Sequence, residues 1–404
     1  MSHKKTKNKK PVSIVSQREL FLNHVAQTSP SPIALEIVKA KGTRLFDKDG
    51  KEYIDLIAGI SVCNVGHAHP KVVKAITKQA EQYLHLLVYG EMIETPQVQY
   101  AKLLTDHLPK SLNSVYFTNS GTEATEGAMK LAKRVTGRTR IIAFNKSYHG
   151  STQGALSLIG DEYWRNAFRP LLPDVLHLEY NDPSALDEIN EYTACVVMES
   201  IQAERGINAP LKQWIKSIRK KCSDTGTLLI MDEIQTGFGR TGSLWFFEQL
   251  AVVPDIVLLG KALGGGMPLG AFVADKKLMN QLAENPVLGH ITTFGGHPVC
   301  CAAGMAAMKV ILKSKLIEKV NEKEILFREL LQHKKIIAIR SRGLLMAIEL
   351  EDSDKVLNVV RHCIEKGVLT DWFLFAPHCL RIAPPLSISK KEIERACKII
   401  SESL

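Results

Sequence analysis

Between residues 114 and 274 six short apolar runs recur: SVYFT (114 to 118), RIIAF (140 to 144), ACVVME (194 to 199), TLLIMD (227 to 232), DIVLLG (255 to 260) and GAFVA (270 to 274). Several are continuous rather than alternating. A strand with one wet face alternates apolar and polar residues, whereas a strand covered on both faces reads as an unbroken apolar run. Helical stretches separate the runs. The pattern predicts an α/β fold with a mostly parallel central sheet and helices on both faces. Upstream, TRLFDKDGKEYIDL (43 to 56) predicts two short strands joined by an Asp-Gly turn. Pro70 opens a helical pattern that runs to about Leu84. Beyond about residue 310 come a long charged helix, the strands IIAIR and GLLMAIEL, further helices and the segment CLRIAPPL. The chain is thus expected to divide into a basic tail (1–15), an N-terminal segment (16–65) packing with a smaller α+β domain, a large domain (66–310) and a C-terminal small domain (311–404).

The formal charge of +10 raises nucleic acid as a partner, but Lys4, Lys5, Lys7, Lys9 and Lys10 supply half of it within the first ten residues. The body carries no clustered basic stripe, so no nucleic-acid footprint is expected. No apolar run approaches the length of about 20 residues that spans a bilayer, which speaks against a membrane location. The tail has neither the apolar core of a secretory signal nor an arginine-rich import pattern. Cys63, Cys195, Cys222, Cys300, Cys301, Cys363, Cys379 and Cys397 are scattered and form no CxxC pair. Free thiols in a reducing cytoplasm are the expectation.

Three familiar motifs fail on inspection. LLGKALGGGMPLGA (258 to 271) places Lys261 ahead of three glycines, but a phosphate-gripping P-loop needs glycine where Asp255 stands and Ser or Thr where Ala262 stands. GFGRTG (237 to 242) matches the dinucleotide fingerprint, yet Asp232 and Glu233 would face the pyrophosphate and no second strand ends in an acid about 20 residues on. His67, His69, His290 and His297 lack the carboxylate or cysteine that would complete a tetrahedral metal site. No metal is expected.

Another set agrees with itself. SVYFT runs into NSGTEATEGAMK, where Ser120, Gly121 and Thr122 open a helix whose free N–H groups and dipole favour an anion. Asp232 ends an apolar strand, which puts its carboxylate at the ligand-binding edge of an open sheet, where it needs a cation. Lys261 follows DIVLLG at the same edge, where desolvation lowers an amine's pKa and makes it a nucleophile. The glycines after it are expected to give backbone clearance near a ligand. A phosphate anchor, a partner for a protonated pyridine nitrogen and a Schiff-base amine are the parts a pyridoxal phosphate enzyme needs.

Together with the blocks NVGHAHP, FTNSGTEATEGAMKLAK, YHG, ESIQAERG, LLIMDEIQTGFGRTG, LGKALGGGMPLGA, TTFGGHPVCCAA and LRIAPPL, these residues closely resemble the class III (ornithine and acetylornithine type) aminotransferases, of fold type I, over about residues 20 to 404. The resemblance implies that Lys261 carries the cofactor and shuttles a proton, Asp232 keeps the pyridine nitrogen protonated, Gln235 binds the ring hydroxyl and Tyr148 stacks on the ring. It implies that Gly121 and Thr122 hold the phosphate, and that Thr293 reaches the phosphate of a neighbouring subunit, so that a homodimer shares its active sites. Arg381 would bind the carboxylate of glutamate or 2-oxoglutarate, and Glu204 would pair with Arg381 while the amino donor is bound.

The implied activity is ω-amino transfer from a diamino acid or amine to 2-oxoglutarate. The alternative is a non-transaminating enzyme of the same fold: an aminomutase, racemase or decarboxylase. One departure bears on the donor. After the aromatic-His-Gly motif the family usually has an arginine for the donor's distal carboxylate, and here stands Ser151, leaving Arg165 or Arg169 as substitutes. Ser200 and Arg205 stand where Pro and Gly are usual and are expected to reshape the pocket wall.

Overall fold

A computed structural model of the chain describes residues 16–404, and the basic tail lies outside the described residues. Its centre is a sheet of seven strands in the spatial order Ser114–Thr118, Gly270–Ala274, Ile256–Leu259, Leu228–Asp232, Thr193–Glu199, Arg140–Phe144, Val175–Leu178. All neighbours are parallel except Gly270–Ala274, which runs antiparallel to both strands beside it. Each of the six apolar runs is a strand, within a residue of the expected ends. The seventh, VLHL at the sheet edge, escaped notice because its four residues are only half-buried and one is a histidine.

Alternation along these strands builds two cores. Ile142, Val196, Met198, Leu229, Met231 and Val257 face one layer, while Ile141, Cys195, Val197, Ile230, Ile256 and Leu258 face the other. Both layers are dry, which is why the sequence shows continuous runs. At about 25 cal/mol per Å2, burying side chains on both faces drives the assembly of this sheet more than any single hydrogen bond does.

The expected hairpin forms from Arg44–Asp47 and Glu52–Asp55. Asp47 accepts from the N–H groups of Asp49 and Lys51, and this holds the turn. A strand not foreseen, Ile37–Lys41, pairs with it on one side, and Val368–Leu369 joins Glu52–Asp55 in parallel on the other. A second four-stranded sheet, ordered Ala338–Ser341, Met346–Glu349, Ala376–Ile382, Asp371–Phe373, is antiparallel throughout. Ile54 and Leu56 share a third core with Val320, Phe327, Met346, Leu380 and Ile400. Helix Pro70–Gln82, started by proline and capped by His69, packs with Thr95–Thr105 against helix Pro298–Lys313. No helix among the described residues is long and apolar enough to cross a membrane.

Candidate functional site

Parallel strands that end together place their last side chains on one sheet edge. Glu199 and Asp232 end neighbouring strands in direct register, and the next strand ends two residues before Lys261. These three residues line one cavity of about 280 Å3 with Gly121, Thr122, Tyr148, His149, Gly150, Ser151 and Gln235.

Asp232 is buried, and its Oδ2 lies 2.8 Å from His149 Nδ1, while its Oδ1 accepts from the Ile234 N–H at 2.9 Å. The carboxylate is thereby fixed in orientation with one edge toward the cavity. Lys261 holds a left-handed backbone conformation (φ 47°), and its Nζ donates to Gln235 Oε1 at 3.0 Å. Burial lowers the lysine pKa, opposed by the negative charges of Glu204 and Asp232. Its ammonium is therefore more easily deprotonated than that of an exposed lysine.

Glu199 was not anticipated. It accepts from the Tyr148 and Ala203 N–H groups at 3.0 Å each, and burial together with nearby Asp232 pushes its pKa well up. His149 was likewise missed, although YHG was quoted for its aromatic. Glu199 could have been found: ACVVME ends in an acid just as TLLIMD does.

Helix Gly121–Thr136 begins at the cavity. Thr122 Oγ1 bonds Thr152 Oγ1 at 2.7 Å, whereas Ser120 spends its hydroxyl as the helix cap on the Glu123 N–H and does not line the cavity. Gly150 sits at φ 129°, and a Cβ there would lie 2.2 Å from Thr122 Oγ1. A Cβ at Gly265 would lie 2.8 Å from Ala303 O, so the clearance at this glycine is toward helix Pro298–Lys313.

Arg381 lies apart from the lining residues but within electrostatic reach of Lys261. Its guanidinium makes a two-pronged pair with Glu204 at 2.8 and 2.9 Å. It also bonds Asp371 and the Trp372 carbonyl, both at 2.8 Å, and stacks 4.3 Å over Phe373. Burial alone would lower the arginine's pKa, but Glu204 and Asp371 carry it up. Burial likewise would raise Glu204, and Arg381 holds it below the usual range. Burial raises Asp371 to about 6 against the pull of Arg381, with Glu204 adding to the rise.

Of the other candidates, only Ser151 lines the cavity. Thr293 is exposed and does not line the cavity. Ser151 is exposed and bonds the Tyr148 hydroxyl at 3.1 Å. Arg165 and Arg169 are both engaged by Glu162, and neither lines the cavity. Ser200 turns away to Glu233 at 2.7 Å and Arg205 to Gln202 at 3.3 Å, so neither reshapes the cavity wall. His69 and His297 cap helices and His67 pairs with Asp55.

The cavity suits a pyridine ring bearing a phosphate. Gln235 Nε2 and His149 Nε2 are buried with no hydrogen-bond partner among the described residues, the first beside Lys261 and the second behind Asp232. A helix N-terminus lies on the same cavity as an amine and a carboxylate.

The profile described as Aminotransferase class-III matches residues 25–404. Among curated proteins, the chain is similar to the acetylornithine aminotransferase of Methanopyrus kandleri, 39% identical over 386 residues covering 94% of this chain and 96% of the relative. It is 40% identical to that of Methanosarcina mazei, with 91% of each chain covered. Among solved structures, the ornithine aminotransferase of Toxoplasma gondii, described with partial occupancy of PLP at its active site, superposes with a TM-score of 0.88 at 32% identity, covering 97% of this chain and 94% of that one.

Proposed function

The chain belongs to the class-III aminotransferases, which depend on pyridoxal phosphate, and on that premise we propose that it moves an ω-amino group from an acetylornithine- or ornithine-like diamino acid or amine to 2-oxoglutarate, giving an aldehyde and glutamate. The observation that carries this reading is one cavity holding the Lys261 amine and the Asp232 carboxylate, with the closed Arg381–Glu204 pair beside it. When bound, the cofactor supplies an electron sink for the carbon that bears the amine.

The protein's residues do the rest. Asp232, oriented by His149, keeps a proton on the pyridine nitrogen, and Gln235 turns its free Nε2 to the ring hydroxyl. Tyr148 stacks on the ring. Gly121 and Thr122 would hold the phosphate at the helix N-terminus, with Ser120 capping that helix. Lys261 Nζ would hold the cofactor and, as a free amine, would carry a proton to and from the reacting carbon. Glu204 neutralises Arg381 while an ω-amine extends past it. When a dicarboxylate arrives, its carboxylate replaces Glu204 on the guanidinium. Such an exchange lets one pocket serve both half-reactions, a need that an aminomutase, racemase or decarboxylase does not have.

The protein works as a homodimer in this reading. Thr293 lies among exposed Ile291 and Phe294, an apolar surface that a second copy would cover while Thr293 reaches the partner's phosphate. Eight free cysteines, seven of them buried, support a cytoplasmic location. A second reading of the donor rests on Ser151: with Arg165 and Arg169 tied to Glu162, the donor's far end carries no carboxylate.

Incubation of the holoenzyme with glutamate is expected to bleach the cofactor's visible band and release 2-oxoglutarate. Retention of the band with no 2-oxoglutarate would refute transamination. A half-reaction screen of ornithine, N-acetylornithine, lysine, 4-aminobutyrate and diamines then separates the two donor readings.

A further inference from the structure

The loop GFGRTG has no dinucleotide to bind, yet its arginine is among the largest fully buried side chains in the chain. Arg240 is 0% exposed and touches no carboxylate. Its Nη1 donates to the carbonyls of Leu344 at 2.9 Å and Pro384 at 2.5 Å, and its Nη2 to Asn64 Oδ1 at 2.5 Å. Its own carbonyl accepts from the Leu344 N–H at 3.0 Å. Asn64 closes the circuit, donating to the Phe238 carbonyl at 3.0 Å and accepting from the Leu386 N–H at 2.9 Å.

An isolated buried guanidinium is a costly way to fill space. Burial draws its pKa down to about 9, and the more distant Asp55 and Cys63 oppose that. What the guanidinium does that an apolar side chain cannot is present a planar fork of donors to several segments at once. The segments it joins matter. Arg240 follows Asp232 and Gln235 on one continuous loop, so its backbone is fixed to the cofactor side of the site. Pro384 lies just past Arg381 on the strand Ala376–Ile382, and Leu344 just before the neighbouring strand Met346–Glu349.

We propose that Arg240 is a positioning residue that locks the strand bearing Arg381 to the loop bearing Asp232 and Gln235, so that the carboxylate-binding arginine and the cofactor cradle keep one fixed separation. This rests on the reading of Arg381 as the carboxylate site. A substrate must reach both groups at once, so a shift of the strand end weakens dicarboxylate binding without removing any group that touches the substrate.

The test is calorimetric titration of the holoenzyme with glutarate, a dicarboxylate that cannot transaminate, alongside titration of the apoenzyme with pyridoxal phosphate. Arg240→Met is expected to weaken glutarate about tenfold or more, with cofactor affinity within about threefold of the parent. Arg240→Lys, which keeps the charge but not the fork, should recover part of the loss. Asn64→Ala, a milder lesion of the same circuit, should weaken glutarate by about threefold and decides the matter if neither Arg240 variant folds.

Arg381→Ala is the control. If the parent does not bind glutarate, or Arg381→Ala binds it unchanged, the carboxylate-site reading fails and the inference with it. If that control behaves but the folded Arg240 and Asn64 variants bind glutarate like the parent, Arg240 is only a structural brace and the proposal is overturned.

Discussion

Replacing Glu204 by glutamine tests the dual use of the pocket most directly. In the closed pair both Glu204 oxygens accept from Arg381, at 2.8 and 2.9 Å, in a site where both side chains are almost fully buried. A glutamine keeps one acceptor oxygen and turns an NH2 group toward the guanidinium, so one bond is lost and the other keeps its charged donor but loses its charged acceptor. Hydrogen bonds to charged groups contribute about 1.5–3 kcal/mol each. Breaking a buried pair outright costs about 3–5 kcal/mol, but Asp371 remains on Arg381 at 2.8 Å and spares the guanidinium from being unpaired. The pair should therefore weaken by about 2 kcal/mol, or about 30-fold.

That energy has a functional sign. Glutamate and 2-oxoglutarate must displace Glu204 to reach Arg381, so in Glu204→Gln their binding improves. An ω-amine donor needs the arginine neutralised, so its half-reaction slows. Single-turnover half-reactions with glutamate and with the best ω-amine donor give the two kcat/KM values. Their ratio should shift toward glutamate by about 30-fold. A ratio within about threefold of the parent's, or a shift toward the ω-amine, would refute the switch.

Lys261→Ala should abolish the visible band that borohydride reduces and lower turnover by about 10^2–10^4-fold or more, checked by absorbance and steady-state rates. Gly150→Ala places a Cβ 2.2 Å from Thr122 Oγ1 at a backbone angle that disfavours side chains, so cofactor affinity should fall at least about tenfold in a fluorescence titration. Away from the site, burial alone would raise Glu392, but hydrogen bonds from Thr43, Ser389 and Arg44 hold it at about 2. A depressed carboxyl stabilises the fold fully above the ordinary value of 4.5 and loses that contribution as pH falls toward 2. With Arg44 40% exposed, the contribution is discounted to about 1–2 kcal/mol. Denaturant midpoints of Glu392→Gln should thus lie below the parent's at pH 7 and approach them as pH falls toward 2.

Residues legible in the sequence are those whose chemistry is tied to the strand pattern. Asp232 and Lys261 stand where unbroken apolar runs stop, and a sheet edge is the one place a run of that kind can end beside solvent or ligand. His149 lies in an irregular segment and Asp371 opens a strand of only three residues, so neither has a period to read, and their importance comes from what the fold brings against them: Asp232 for one and Arg381 for the other. The edge strand VLHL was illegible for a related reason, since a half-buried strand lacks the apolar run that double coverage imposes. The demand of helix Pro298–Lys313 on Gly265 is illegible because sequence shows which residue is small, not which neighbour requires it.

The strand Glu52–Asp55, paired with Val368–Leu369, also sets a timetable for biosynthesis. One side of the N-terminal hairpin emerges early from the ribosome, and its last sheet partner emerges only near the end of translation. Until then Ile54 and Leu56 have no core to enter, and an unpaired strand edge is open to other nascent chains. Contacts so distant along the chain close slowly. The strand carrying Arg381 belongs to the same late-arriving stretch, so a truncated or stalled chain could build much of the cofactor cavity and still lack the arginine that reads the substrate.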